Sequence, residues 1–169
     1  MTIRLLGIDP GLRFTGWGVV EVEGNALRHL ADGVIATDSG ASLPARLCVL
    51  HEGLARLIAA WHPQEAAVEQ TYVNRNGAST LKLGYARGIA LLTPAEAGLK
   101  VAEYGAMEIK RAVVGTGAAD KKQVEMMVRR LLPGAIIKRS DASDALALAI
   151  CHAHHRESRL AWAAGVRMA

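Results

Sequence analysis

The sequence predicts an α/β domain built on a five-stranded mixed sheet, three antiparallel strands followed by two parallel ones, with helices on both faces. Three observations lead there. The first 37 residues hold three apolar strand patterns with short links, as in an antiparallel meander. From Leu47 the apolar period changes from two to that of a helix. Beyond Trp61, short apolar runs alternate with helical stripes, the pattern of a sheet extended through crossovers.

Ile3–Ile8 and Thr15–Val22 form the first hairpin, joined by "DPGLRF", and Arg28–Thr37 is the third strand. Leu47, Leu50, Leu54, Leu57, Ile58 and Trp61 then share one helical face, with Ser42 and Pro44 near its start and Pro63 beyond its end. "EAAVEQ", Glu65–Gln70, is a short buried strand followed by the polar loop "YVNRNGAS". A helix from about Ser79 should end or kink at Pro94, because proline lacks the N–H a helix interior needs. Leu99–Tyr104 is the last strand. Met107–Val114 is a short helix closed by Gly115–Gly117, and a helix from Asp120 turns Val124, Met127, Val128 and Leu131 to one side. A terminal helix runs from roughly Ser140 to His155; Ser140 as N-cap with two acids in the first turn is the bland alternative for those acids. Residues 1–158 read as one domain, since no repeat or linker interrupts the chain, and 159–169 as a C-terminal tail, with helix and disorder both open for the arginine- and alanine-rich segment after His155.

Hydrophobic residues at 51% and charged ones at 21% exclude a disordered chain, and no apolar run reaches the ~18 residues of a membrane span. A formal charge of +4 leans only modestly towards polyanionic partners. Cys48 and Cys151 lie inside helical apolar patterns and read as buried thiols of a reduced compartment, so the expected location is cytoplasmic.

Four acids stand in apolar company. Asp9 closes the first strand; Asp-Pro-Gly is also a favourable turn sequence, which by itself would account for one acid. Glu69 ends the fourth strand, where a single charge emerging into solvent is ordinary. Asp141 and Asp144 are spaced i, i+3 in "SDASDALALAI", so their Cβ atoms lie ~5–6 Å apart on one helix face. Acids in a first turn also meet the positive end of the helix dipole, yet this face continues inward through Ala145 and Leu148. Converging carboxylates oppose burial unless a cation compensates them. A hard divalent ion takes oxygen ligands, and two ions ~3.5–4 Å apart can clamp both oxygens of a phosphodiester displacement. Strands one and four must then be neighbours.

With these residues in view, "GIDPGLRFTGWGVV", "AAVEQTYVNRNGASTLKLGYARG", "EYGAMEIKRAVVGTGAADKKQV" and "SDASDALALAI" together resemble the RuvC family of Holliday-junction resolvases, within the RNase H-like superfamily. Sugar kinases and actin-like ATPases share a first motif of this kind, but the four segments in order are specific. The resemblance implies an RNase H-like fold and a tetrad, Asp9, Glu69, Asp141 and Asp144, binding two Mg²⁺ ions per subunit, with Mn²⁺ as a substitute. It implies a homodimer that nicks two opposed strands of a four-way DNA junction, leaving 5′-phosphate and 3′-hydroxyl ends, in recombination and repair. Branch-migration motor proteins, RuvA and RuvB, are the implied partners. Tyr72 matches a loop aromatic that can stack on an unpaired base, Arg75 a basic loop residue, and Lys110 and Lys121 lysines near the scissile phosphate. Lys122, Arg129 and Arg130 form a basic helix face for backbone contacts, and Gly84 and Gly88 mark a helix suited to close approach in a dimer. Cys151 and His155 are too few ligands for zinc; the histidines there are read as meeting the negative end of a helix. The alternatives are a junction-binding protein without catalysis and an RNase H-like nuclease of another substrate.

Overall fold

In the computed structural model, the backbone is described for residues 1–70 and 77–165, and side chains within these ranges as far as Arg156. Strands β1 (Thr2–Asp9), β2 (Phe14–Glu23) and β3 (Ala26–Ala36) precede helix α1 (Leu43–Trp61). Strand β4 (Glu65–Glu69), helix α2 (Gly77–Glu96) and strand β5 (Lys100–Tyr104) follow, then α3 (Ala106–Val114), α4 (Lys121–Leu131) and α5 (Ser140–Gly165). The sheet order is β3-β2-β1-β4-β5. β1 pairs antiparallel with β2 and parallel with β4, so the expected mixed sheet is present with strands one and four adjacent.

Alternation along β1 sends Leu5 into a core shared with α3, α4 and α5, while Leu6 and Ile8 enter the opposite core with Leu54 of α1 and Ala90 of α2. Gly7 faces α5: a Cβ there would lie 2.0 Å from the Ala145 carbonyl oxygen. At Gly16 of β2 a Cβ would lie 2.0 Å from the carbonyl oxygen of Asp141. The bare backbone of β1 and β2 is therefore what lets α5 lie flat on the sheet. Among the described residues, no helix is long and apolar enough to cross a membrane.

The structure fixes the helix bounds and corrects one cysteine. α1 begins at Leu43, where Ser42 and Pro44 were expected to mark its start: Ser42 caps it and Pro44 occupies its first turn. α2 runs through Pro94 to Glu96. Proline sits there in the final turn, and the Thr93 hydroxyl beside it donates to the Ile89 carbonyl. α5 runs beyond His155 to Gly165, so the backbone there takes the helical one of the two states the sequence left open. Cys48 is exposed, on the outer side of α1, and Cys151 is buried as expected.

Candidate metal centre

Parity in the sheet assembles the first two acids. Asp9 lies two residues after Gly7 and so shares the α5 face; in the parallel ladder Gly7 faces Ala67 and Ile8 faces Val68, which leaves Asp9 beside Glu69. The two carboxyls are close enough to act on each other directly. Burial, then the charge and bond of Glu69 and the charges of Asp144 and Asp141, push Asp9 up to about 9. Burial also raises Glu69, with the charge of Asp144, against the opposing bond to Asp9 and the Lys121 charge. Glu69 therefore opposes the ionisation of Asp9. The turn itself is closed by Thr15, whose hydroxyl donates to the Gly11 carbonyl at 2.7 Å, so Asp9 is not spent on it.

Helix α5 brings the other two acids. Its first helical bond runs from the Ser143 N–H to the Arg139 carbonyl, which puts Ser140 inside the first turn and not at the N-cap of the alternative reading. Asp144 is raised by burial and by the charges of Glu125 and Asp141, but Lys121 opposes this through a 2.9 Å bond from Nζ to Oδ2. Asp141 Oδ2 accepts from Arg139 Nη2 at 3.1 Å. Each of these two acids is thus already compensated by a cation, and among the described residues no three His, Cys, Asp or Glu side chains close on a single ligand point. Asp9, Glu69 and Asp144 nonetheless act on one another electrostatically.

Lys121 opens α4, where Asp120 and Gln123 cap each other reciprocally at 2.8 Å and 2.8 Å. Glu69, Lys110, Lys121 and Asp144 line a cleft of about 270 Å³ between α3, α4 and α5. A larger cavity of about 710 Å³ adjoins it at Ala106 but holds none of the four acids. Tyr72 and Arg75 lie outside the described residues. On α4, Lys122 and Arg130 are exposed, whereas Arg129 Nη2 donates to the Ile137 carbonyl at 2.9 Å and has a structural contact.

The histidines of α5 are corrected too, because the helix does not end at them. His152 is buried, Nδ1 2.7 Å from the Tyr104 hydroxyl and Nε2 2.8 Å from Glu65 Oε2, while Arg156 Nε donates to Glu65 Oε1 at 3.0 Å. His155 lies 3.3 Å from Glu108 and stacks on Tyr104. Burial pushes the Cys151 thiol up to about 12, which disfavours the thiolate a zinc site needs. The i, i+4 spacing of His152 and Arg156 was the available signal for this network; nothing marked Glu65 as their partner.

The family model described as crossover junction endodeoxyribonuclease RuvC matches residues 5–152. The chain belongs to the RuvC family. It is 73% identical over 167 residues to the crossover junction endodeoxyribonuclease RuvC of Gluconacetobacter diazotrophicus, covering 99% of each chain. The RuvC of Granulibacter bethesdensis is 71% identical over 168 residues, which cover 99% of this chain and 94% of the relative. Among solved structures, the T. thermophilus RuvC in complex with Holliday junction substrate superposes with a TM-score of 0.87 at 34% identity, over 92% of this chain and 96% of that one. The yeast mitochondrial Holliday junction resolvase, at 13% identity and a TM-score of 0.62, shares the fold over 91% of this chain and 83% of its own. The RuvC-family sheet and its α5 crossing are therefore the frame that carries the four acids.

Proposed function

We propose that this RuvC-family endonuclease resolves Holliday junctions by paired, symmetric nicks, through hydrolysis at a centre formed by Asp9, Glu69, Asp141 and Asp144. The observation that carries this reading is the meeting of Asp9 and Glu69 at the sheet's middle with Asp144 of α5 close enough to raise both. Such a set costs stability without a cation and consists wholly of hard oxygen donors, which fits divalent metal. RuvC-family enzymes are divalent-metal nucleases; Mg²⁺, two ions per subunit, is the assignment made here, with Mn²⁺ able to replace it. When bound, the ions supply Lewis acidity for the attacking water and positive charge for the transferring phosphoryl group.

The chain's own groups do the rest. Asp9 and Glu69 would hold the metal as ionised carboxylates. Lys121 exchanges its bond with Asp144 for a phosphate oxygen, and Lys110, across the same cleft, offsets charge on the strand being cut. The α4 cap holds Lys121 against the cleft while it does so. Lys122 and Arg130 contact the backbone of an adjoining arm, and from the loop between β4 and α2, Tyr72 stacks on an unpaired base beside a phosphate contact from Arg75. The products carry 5′-phosphate and 3′-hydroxyl ends.

Two symmetric nicks need two centres, so the working unit is a homodimer. The face of α2 bearing Leu81, Tyr85 and Leu92 supports this, because these apolar side chains are exposed and nothing lies within 4 Å of a Cβ built at Gly84 or Gly88. RuvA and RuvB are the partners assigned to the dimer on the junction.

Cleavage of a labelled four-way junction with a short mobile core tests the reading, in Mg²⁺ and in EDTA, with wild type and Asp9→Asn. Paired nicks are expected that require metal and vanish in the variant, which keeps junction binding. Binding without nicks in any divalent metal would leave a junction-binding protein. Equal cutting of an RNA:DNA hybrid would move the substrate elsewhere in the superfamily.

A further inference from the structure

The geometry points to Arg139 as a positioning residue for Asp141, a guanidinium fixed on an aromatic ring that aims one carboxylate of the centre. The inference rests on the metal-centre reading above.

Three contacts hold Arg139. Its carbonyl accepts the first helical bond of α5, from the Ser143 N–H at 3.1 Å, so its backbone is part of the helix start. Its guanidinium carbon lies 4.4 Å from the centroid of the Phe14 ring, within cation–π range. Its Nη2 donates to Asp141 Oδ2 at 3.1 Å. Phe14 opens β2 immediately beyond the turn that follows Asp9, so its ring is carried by the same sheet as the first acid. The main chain of Asp141 is equally fixed, pressed against Gly16 of β2.

What remains free in Asp141 is its side chain, and that freedom is what Arg139 removes. Lys121 has a comparable bond to Asp144 but hangs on a flexible four-carbon stem with no ring behind it, so it can leave for a phosphate. Arg139 is planar, always charged and stacked, and stays. Its bond to Oδ2 leaves Oδ1 available as a metal ligand. A hydrogen bond of this kind to a ligating carboxylate orients it, and losing such a partner typically weakens metal binding ~10–100-fold. The guanidinium also carries positive charge, which taken alone would repel a cation. The sign of the change on removing it therefore separates positioning from competition.

The test is Mn²⁺ binding to the full chain without DNA, followed by calorimetry and by the paramagnetic signal of free Mn²⁺, for wild type, Arg139→Gln, Arg139→Lys, Phe14→Leu and Asp141→Asn. Arg139→Gln is expected to weaken Mn²⁺ binding roughly tenfold. Arg139→Lys should recover part of this and Phe14→Leu should weaken binding less, in the same direction. Junction affinity in EDTA should change less than twofold for Arg139→Gln. Unchanged Mn²⁺ binding in Arg139→Gln and Phe14→Leu, with Asp141→Asn weakened, would overturn the role of Arg139 and leave the metal centre standing. Tighter Mn²⁺ binding in Arg139→Gln would make Arg139 a competitor, and a loss of junction affinity alone would make it a DNA contact; either overturns the proposal. Asp141→Asn binding Mn²⁺ as wild type does would instead remove the metal-centre reading itself.

Discussion

Asp9 and Glu69 meet because each lies an even number of residues from a neighbour that faces α5. Glu65, at the other end of the same face of β4, uses that parity differently: it reaches His152 and Arg156 and ties α5 to the sheet far from the acids. Burial would raise the Glu65 carboxyl, but the Arg156 bond, then the charge and bond of His152, outweigh it and hold the group below its ordinary value of 4.5. A carboxyl depressed in the folded state stabilises the fold above its unfolded value, and the contribution is lost as pH falls through the folded one. Thermal melts between pH 6 and pH 3 should therefore show wild type losing stability below about 4.5, and Glu65→Gln following a flatter curve in that window. Parallel curves would remove Glu65 from the acid sensitivity of the fold. Solvent access to the pair keeps the effect modest.

Helix α5 is the element on which the centre depends, and glycine in β1 and β2 is what admits it. Gly16→Ala would place a methyl 2.0 Å from the Asp141 carbonyl oxygen, a contact that backbone must relieve by moving. The substitution is expected to cost ~1–3 kcal/mol in urea unfolding, as overpacking usually does, and to displace the first turn of α5 that carries Asp141. Cleavage at a fixed Mg²⁺ concentration should fall further than stability alone explains. A variant with wild-type cleavage and unchanged unfolding would mean that the strand and helix separate easily there. The strands and the helical stripes were readable from period alone; Pro94 marked the end of α2 to within two residues, because a local pattern does not fix the last turn of a helix.

For the molecule as a whole, the exposed face of α2 sets the expected assembly. Leu81→Glu combined with Leu92→Glu places two charges on an exposed apolar helix face, so the fold should persist while the dimer separates. Sedimentation should then report a monomer, and nicking of the two strands of a junction should lose its pairing. A dimer of unchanged strength would move the interface off this face. Charge supports the substrate only weakly, since +4 is modest for a nucleic-acid enzyme and the polar work is done by placed residues such as Lys110 and Lys121.

The local order of the chain carried the sheet, its meander, most helix starts and the four acids, because alternation, helical period and turn chemistry are properties of neighbours along the sequence. Four spaced motifs also carried the family, with Tyr72 and Arg75 outside the described residues. What the tertiary structure alone decided is which charges meet. Lys121 lies 23 positions from Asp144 in sequence, yet their side chains are 2.9 Å apart. Glu65 and His152 are separated by 87, and Phe14 receives Arg139 from the far end of the chain. Such pairs depend on the crossing of α5 over β1 and β2, a long-range packing event set by the bare backbone at Gly7 and Gly16, and no local pattern records where a helix will land.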